Sequence, residues 1–432
     1  MLKYCIIIIL KIGGCKVGNS IKIKVYPASN GESILIECNG KEQTNILIDC
    51  GYISTYKFIK KDLIDFKKNG KKIDLLVLTH TDNDHINGAR KLFDDYIKDQ
   101  ICEISEIWYN DYFHIYDTKY DGEEICKTEY NIFKFLESDE YPTDPNESGE
   151  EDISYKSANL LVNYLANEKI NNKLNKSFSS AVCIDDENKF KKIPIGDEVE
   201  ITLLGPTKEI LSELLCDWRS YLIEKGFEED VIKSKELSEA FELFYINQIE
   251  DTINDEYFEE KCCARDELKR YLEFDTQDSK LENRSSISFI LKLYDKQLLF
   301  LGDSSPKDYE KVLEQLLIHL GKEKLEFDLV KVSHHGSKYN TSTKLFKMLT
   351  SKRYLISTNG VLFNHPDLEA ISKIIVDQKE FKKLYFNYKL TKVEDFLCDY
   401  KLDDSKFMIK YENEDIFDEN ILLIDIEENK SE

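Results

Sequence analysis

Short apolar runs that stop at a histidine or an aspartate constrain this chain more than any other feature. "DLLVL" runs into Thr79-His80-Thr81-Asp82-Asn83-Asp84-His85, and "LLFLG" stops at Asp303. "DLVKV" stops at Ser333-His334-His335, and "RYLIS" leads to Asn364-His365-Pro366. Five of the seven histidines, with Asp82, Asp84 and Asp303, thus follow buried-strand patterns. In a layered sheet fold, loops at one sheet edge can converge on a common cleft, and residues at such strand ends are natural site builders. Imidazole and carboxylate together are the ligand set for zinc, manganese or iron. Four ligands within His80–His85 suit a tight loop with inward and outward residues alternating, enough for two neighbouring ions. A polar loop or a helix N-cap rich in Asp and Asn is the plainer alternative for that stretch. His114 and His319 lack such surroundings and read as ordinary histidines.

The pattern elsewhere supports sheets. "IKIKVYPASNGESILIEC" reads as two strands around a turn at Asn30-Gly31, and "TNILIDCG" as a third, which suggests an antiparallel meander. Helical spacing is expected over 56–69 and from Gly88 to Ile97, with "KIDLLVLTH" and "EISEIWYN" as strands. Residues 111–277 behave differently: the polar run "ESDEYPTDPNESGEED" is a loop by composition, and "SYKSANLLVNYLANEKI" and Lys208 to Leu272 look helical. "VEITLLGPT" reads as a strand within that segment. From Arg284, strand and helix alternate, starting with a hairpin turned at Tyr294-Asp295-Lys296. The acidic tail still contains the strand-like "KFMIKY" and "ILLIDI". Expected boundaries are an N-terminal extension (1–20), a first core half (21–110), an acidic, mainly helical insertion (111–277), a second core half (278–390) and a folded C-terminal extension (391–432).

With 432 residues the chain needs two domains or one domain with a large insertion. A formal charge of -24 makes a long duplex laid across a basic face a poor picture, while a local cleft with bound cations still admits a phosphate. Eleven cysteines without a C-x-x-C pair fit reduced thiols in a cytoplasmic protein. The N-terminal "YCIIIIL" is interrupted by Lys11, and although Ile12-Gly13-Gly14-Cys15 is loosely lipoprotein-like, a strand or an extension is the favoured reading. No stable membrane insertion is expected.

His80-Thr-Asp-Asn-Asp-His85 resembles the H-x-H-x-D-H metal signature of metallo-β-lactamase-fold hydrolases, in the H-x-D-x-D-H form typical of the ComEC-like branch. The likeness continues in order. Asn30-Gly31-Glu32-Ser33 stands where that branch has a Gly-Gln-Gly-Asp-type turn, and Ile46–Gly51 matches its "LIDxG" strand. Asn283 with Ser285 or Ser286, Gly302-Asp303, His334-His335-Gly336-Ser337 and Asn364-His365-Pro366 follow. The resemblance covers about residues 21 to 110 and 280 to 385, and implies an α/β fold: an αββα four-layer sandwich interrupted by the insertion. It also implies two divalent metal ions, zinc or manganese, sharing a hydroxide. One would be held by His80, Asp82 and Asp303, with His334 or His335 filling the gap left by the missing histidine between His114 and His319. The other would be held by Asp84, His85, Asp303 and His365. Asp82 in place of a histidine makes the first site richer in oxygen, which favours manganese or weakens zinc.

The implied chemistry is metal-dependent hydrolysis. Asp84 would orient the nucleophile and a histidine of the His334/His335 pair would hold an oxyanion or protonate the leaving group. Ser337, Asn283 and Ser285 are candidates for binding a phosphate. The favoured substrate is a phosphodiester, as short or single-stranded nucleic acid or a nucleotide, with an effector role in bacterial defence suggested by analogy. The alternatives are an ester, lactone or thioester, or a protein partner bound through the 111–277 insertion.

Overall fold

A computed structural model describes residues 5–11, 20–116, 161–185, 189–224, 240–242, 244–245, 264–376, 381–399, 407–410 and 421–426. The antiparallel meander expected near the N-terminus is present as β2 (Ser20–Val25), β3 (Ile34–Asn39) and β4 (Gln43–Ile48). Parallel strands β5 (Ile73–Val77) and β6 (Ile104–Trp108) continue the sheet. β1 (Cys5–Lys11), the apolar run near the N-terminus, pairs antiparallel with β2 on that sheet's other side.

Alternation along these strands sorts side chains into layers, as the period of two requires. Ile34, Ile36, Ile46, Ile48, Leu75 and Val77 share a core with Ile201, Phe289, Leu291 and Leu298 of the second sheet. Leu35, Leu47 and Leu76 point the other way, into a core with Ile59 and Leu63 of α1 (Ile53–Lys68) and Ile86, Leu92 and Phe93 of α2 (Asn83–Ile97).

The second sheet repeats this plan, antiparallel strands first and parallel ones after. β7 (Lys192–Ile195), β8 (Val199–Gly205), β9 (Ser288–Leu293) and β10 (Lys296–Phe300) form a meander. β11 (Leu325–Phe327) and β13 (Leu349–Ser351) make a separate two-stranded ribbon. β12 (Leu329–Lys331), β14 (Arg353–Ile356), β15 (Lys382–Phe386) and β16 (Phe407–Lys410) add to β10 in parallel. Helices Pro306–Leu320 and Leu368–Val376 pack on it through Tyr309, Val312, Leu313, Ile371 and Ile374, completing an αββα sandwich. β17 (Ile421–Ile426) joins β1, so the acidic tail supplies a strand to each sheet.

The segment expected to be an insertion is more integrated than its composition suggests. Residues 192–205 are sheet, held by pairing of β8 with β9, almost ninety positions further on. Residues 161–185 run along the edge of β6, where Ile107 N–H donates to the Lys173 carbonyl at 2.9 Å and so covers an exposed strand edge. Helix Lys208–Glu224 carries Leu214, Trp218 and Leu222 into a third apolar cluster with Tyr112, Phe241 and Tyr245. The polar run "ESDEYPTDPNESGEED" lies outside the described residues. No helix among the described residues is long and apolar enough to cross a membrane. The six cysteines with described side chains are free thiols.

Candidate metal centre

Parallel strands of both sheets end at the same place. β4 delivers Asp49, β5 delivers Thr79 and His80, β10 delivers Asp303, and β12 delivers His334 and His335. The two sheets are joined there by Ile287 N–H donating to the Thr79 carbonyl at 2.9 Å. The expected tight loop at His80–His85 is instead a strand end followed by the first turn of α2. Asp82 occupies the N-cap position with extended backbone, and Asp84 and His85 are already helical. The Asp82 side chain makes no capping bond. The stretch is therefore a helix N-terminus whose carboxylate is turned away from the helix.

Imidazole Nε2 atoms converge on one carboxylate oxygen. Asp303 Oδ2 lies 3.4 Å from Nε2 of His85, 3.7 Å from those of His334 and His335, and 3.9 Å from that of His80. His80 Nε2 is 3.3 Å from Asp82 Oδ2, and His335 Nε2 is 3.5 Å from Asp84 Oδ2. Among the described residues, two groups are close enough to hold an ion: His80, His85 and Asp303, and Asp84, His85 and His335.

The far side of each ring fixes its tautomer. His85 Nδ1–H donates to Asp49 Oδ2 at 2.8 Å, and His335 Nδ1–H donates to the Ser357 carbonyl at 2.7 Å. Thr79 hydroxyl donates to Asp49 Oδ2 at 2.7 Å, leaving its oxygen to accept from His80 Nδ1–H at 3.0 Å. With each ring neutral, as a metal ligand must be, these acceptors place the proton on Nδ1 and leave the lone pair on Nε2. Nε2 of His80, His85 and His335 are all buried without a hydrogen-bond partner, as is Asp82 Oδ1. Buried polar atoms are normally satisfied. Orphaned lone pairs facing carboxylates, each ring steered from behind by an acceptor, are what a metal ion's ligands look like without the ion. The donor set thus fits a divalent metal.

Charge is concentrated here. Burial pushes the Asp303 carboxyl up, but His85, His334 and His335 outweigh it and hold it well below the usual range. Asp84 is likewise lowered, with His85 and His335 overcoming burial. Burial depresses His85, yet Asp303, Asp49 and Asp84 raise it well above an ordinary imidazole. At His335 burial wins and the shift is downward. Burial also depresses His334, but Asp303 and Asp278 bring it up to about 9.

The structure separates the paired histidines. His335 is buried in the ligand cluster, whereas the His334 side chain is 23% exposed, with Nδ1 3.0 Å from Asn340 Oδ1. Both residues and Gly336 have positive φ (44°, 53° and 83°), a conformation that L-residues hold only where packing enforces it. His365, expected with the second metal, lies beside His334. Its ring is 5.6 Å from that of His334, its Nδ1 is 3.5 Å from Asp367, and it falls in neither ligand group. Asn283 and Ser285 are buried and committed locally, Asn283 donating to Asp278 at 2.7 Å and Ser285 to the Glu282 carbonyl at 2.6 Å. Ser337 is also buried, its hydroxyl accepting from Tyr339 N–H at 3.3 Å.

Asp49 was visible only as part of a strand signature, and nothing in its neighbourhood marked it as a partner of His85. Thr79 and Ser357 carried no signal at all.

Facing sheets flanked by helices, with a buried His/Asp cluster at the carboxyl ends of parallel strands, define a metal-binding sandwich class. Residues 27–119 match the model of the metallo-beta-lactamase superfamily, a stretch that includes Asp49 and His80–His85. No curated protein matches the chain. That stretch is similar to the metallo-beta-lactamase superfamily, whose proteins are usually metal-dependent hydrolases that bind divalent metals, most often zinc.

Proposed function

We propose that this protein is a two-metal phosphodiesterase acting on short or single-stranded nucleic acid or on nucleotides. The observation that carries the metal reading is the set of three orphaned Nε2 lone pairs around Asp303 Oδ2. His80, Asp82 and Asp303 would hold one ion, and Asp84, His85, His335 and Asp303 the other, with His335 in the place first expected for His365. Divalent ions bound there supply Lewis acidity and an activated water nucleophile at neutral pH.

The chain's own residues supply the rest. Asp84 is kept in place by Asn30, whose Nδ2 donates to Asp84 Oδ2 at 3.0 Å. His334 is the more exposed of the two adjacent imidazoles, and its Nε2 is the atom placed to donate a proton to a leaving oxygen. Asp278 and Asn340 hold its other nitrogen. Three aspartates in the donor set favour a hard ion such as manganese, which suits phosphoryl oxygens. The ComEC-like order of motifs supports a phosphodiester over other substrates, and the net charge of -24 supports a strand end entering the site over a duplex lying on the surface.

The test is metal analysis of the purified protein, with turnover of bis(p-nitrophenyl) phosphate and of short DNA and RNA measured in Mn2+ and in Zn2+. Cleavage of a phosphodiester that disappears in His85→Ala and Asp303→Ala is expected. Cleavage of an ester or lactone with no phosphodiester turnover in either ion would overturn the substrate assignment.

A further inference from the structure

Beneath Asp303 lies a buried ion pair that the proposed chemistry leaves unused. Lys331, fully buried at the end of β12, places Nζ against the carboxylate of Glu32, from the turn between β2 and β3. The same ammonium is 3.9 Å from Asp303 Oδ1 and 3.5 Å from the Gly302 carbonyl. A buried ion pair is weak evidence for stability, since apolar residues of similar volume often serve as well. Its position supplies another reason. The two oxygens of Asp303 are differentiated: Oδ2 faces four imidazoles, while Oδ1 faces Lys331.

The turn that carries Glu32 also reaches the other half of the site. Glu32 N–H donates to the Asp84 carbonyl at 3.1 Å, and Gly31 packs so tightly on that carbonyl that a Cβ would overlap it. One turn and one lysine thus touch both Asp84, in the first half of the chain, and Asp303, in the second.

We propose that Glu32 and Lys331 are positioning residues for the metal site, Lys331 engaging Asp303 Oδ1 so that Oδ2 is presented to the ions. Glu32 holds the ammonium there and keeps it from competing for Oδ2. The inference rests on the metal-site reading above.

Lys331→Met alone strands the Glu32 charge, so the informative variant is Glu32→Gln/Lys331→Met, which removes both. Metal-stripped wild-type and variant proteins are titrated with Mn2+ and with Zn2+ against a chromophoric chelator, with folding followed by circular dichroism and the ligand field by the Co2+ d–d spectrum. The double variant is expected to fold and to bind both ions about 10- to 100-fold more weakly, the usual consequence of losing a group that supports a ligand, with an altered Co2+ spectrum. If it does not fold, Glu32→Gln/Lys331→Gln keeps the volume and a hydrogen-bonded pair without the charges, and the same weakening is expected. A folded double variant with wild-type affinity for both ions and an unchanged Co2+ spectrum overturns the positioning role. Wild-type protein that takes up none of these ions overturns the metal-site reading, and this inference with it.

Discussion

Asp49→Asn isolates the support of a ligand from the ligand itself. Asp49 is fully buried and accepts three hydrogen bonds: Thr79 N–H at Oδ1 (2.8 Å), and Thr79 hydroxyl (2.7 Å) and His85 Nδ1–H (2.8 Å) at Oδ2. An asparagine fills the same space but must present an NH2 group at one of these oxygens. If NH2 replaces Oδ1, it meets a backbone N–H. If it replaces Oδ2, it meets two donors, and His85 relieves the clash only by moving its proton to Nε2, the atom that faces Asp303. Either orientation forfeits at least one hydrogen bond to a charged acceptor, about 1.5–3 kcal/mol of stability. Where the tautomer changes, metal affinity falls by roughly 10- to 100-fold, about 1.4–2.8 kcal/mol. Chelator competition on metal-stripped protein, beside urea unfolding at the same pH, separates the two losses. A folded Asp49→Asn protein that binds Mn2+ and Zn2+ as tightly as wild type would refute the argument that these imidazoles are steered from behind.

Four further outcomes are expected. His335→Ala should lose bound metal, whereas His334→Ala should keep it while turnover drops about 10²- to 10⁴-fold, the range for a proton donor; metal content measured beside kcat distinguishes them. Asp82→His replaces oxygen by nitrogen and should move the preference from Mn2+ toward Zn2+, read from paired titrations. Gly31→Ala forces a methyl into the Asp84 carbonyl and should cost about 1–3 kcal/mol of unfolding free energy along with metal affinity, as overpacking does. Burial, with Asp82 nearby, pushes the Glu282 carboxyl up to about 7 from 4.5. A carboxyl raised on folding binds its proton more tightly in the native state, so stability of the metal-free protein falls as pH rises from about 4.5 to 7, by roughly 3 kcal/mol at 1.36 per unit. Urea unfolding at pH 5 and pH 8 should show a clearly larger fall in wild type than in Glu282→Gln, where only the raised histidines still contribute one.

The legible parts of this molecule were those where one local pattern decided the structure. Strict alternation in Ser20–Val25 and the apolar run that opens Ile34–Asn39 marked strands, and polar residues just beyond apolar runs marked where the strands would converge. The start of α2 was hidden because His80–Asp84 contains no apolar residue, so helical periodicity becomes readable only at Ile86, inside a helix that begins at Asn83. β7 and β8 were assigned to an insertion because their partner, β9, lies far along the chain, and sequence spacing carries no information about such pairing. His365 illustrates a related limit: motif order fixes which loops reach the site but not which side chains cluster most tightly, and it is His335, on the left-handed turn at His334–Gly336, that groups with Asp84 and His85.

Lys331 shows why residues behind a metal are the hardest to find. Lys331 stands inside the apolar run "DLVKV", where nothing in the sequence marks its role, and it is fully buried. Alternation reports which face a side chain takes, and in a sandwich one face of a strand can meet the core for most of its length and a polar site at its end. Only the arrival of Glu32, almost 300 residues earlier in the chain, makes a lysine tolerable at that depth. The ligands announce themselves because their chemistry is rare in a strand end. Their supports are ordinary residues made specific by a partner from the other half of the chain, which explains why Asp49, Thr79 and Lys331 emerged with the fold rather than before it.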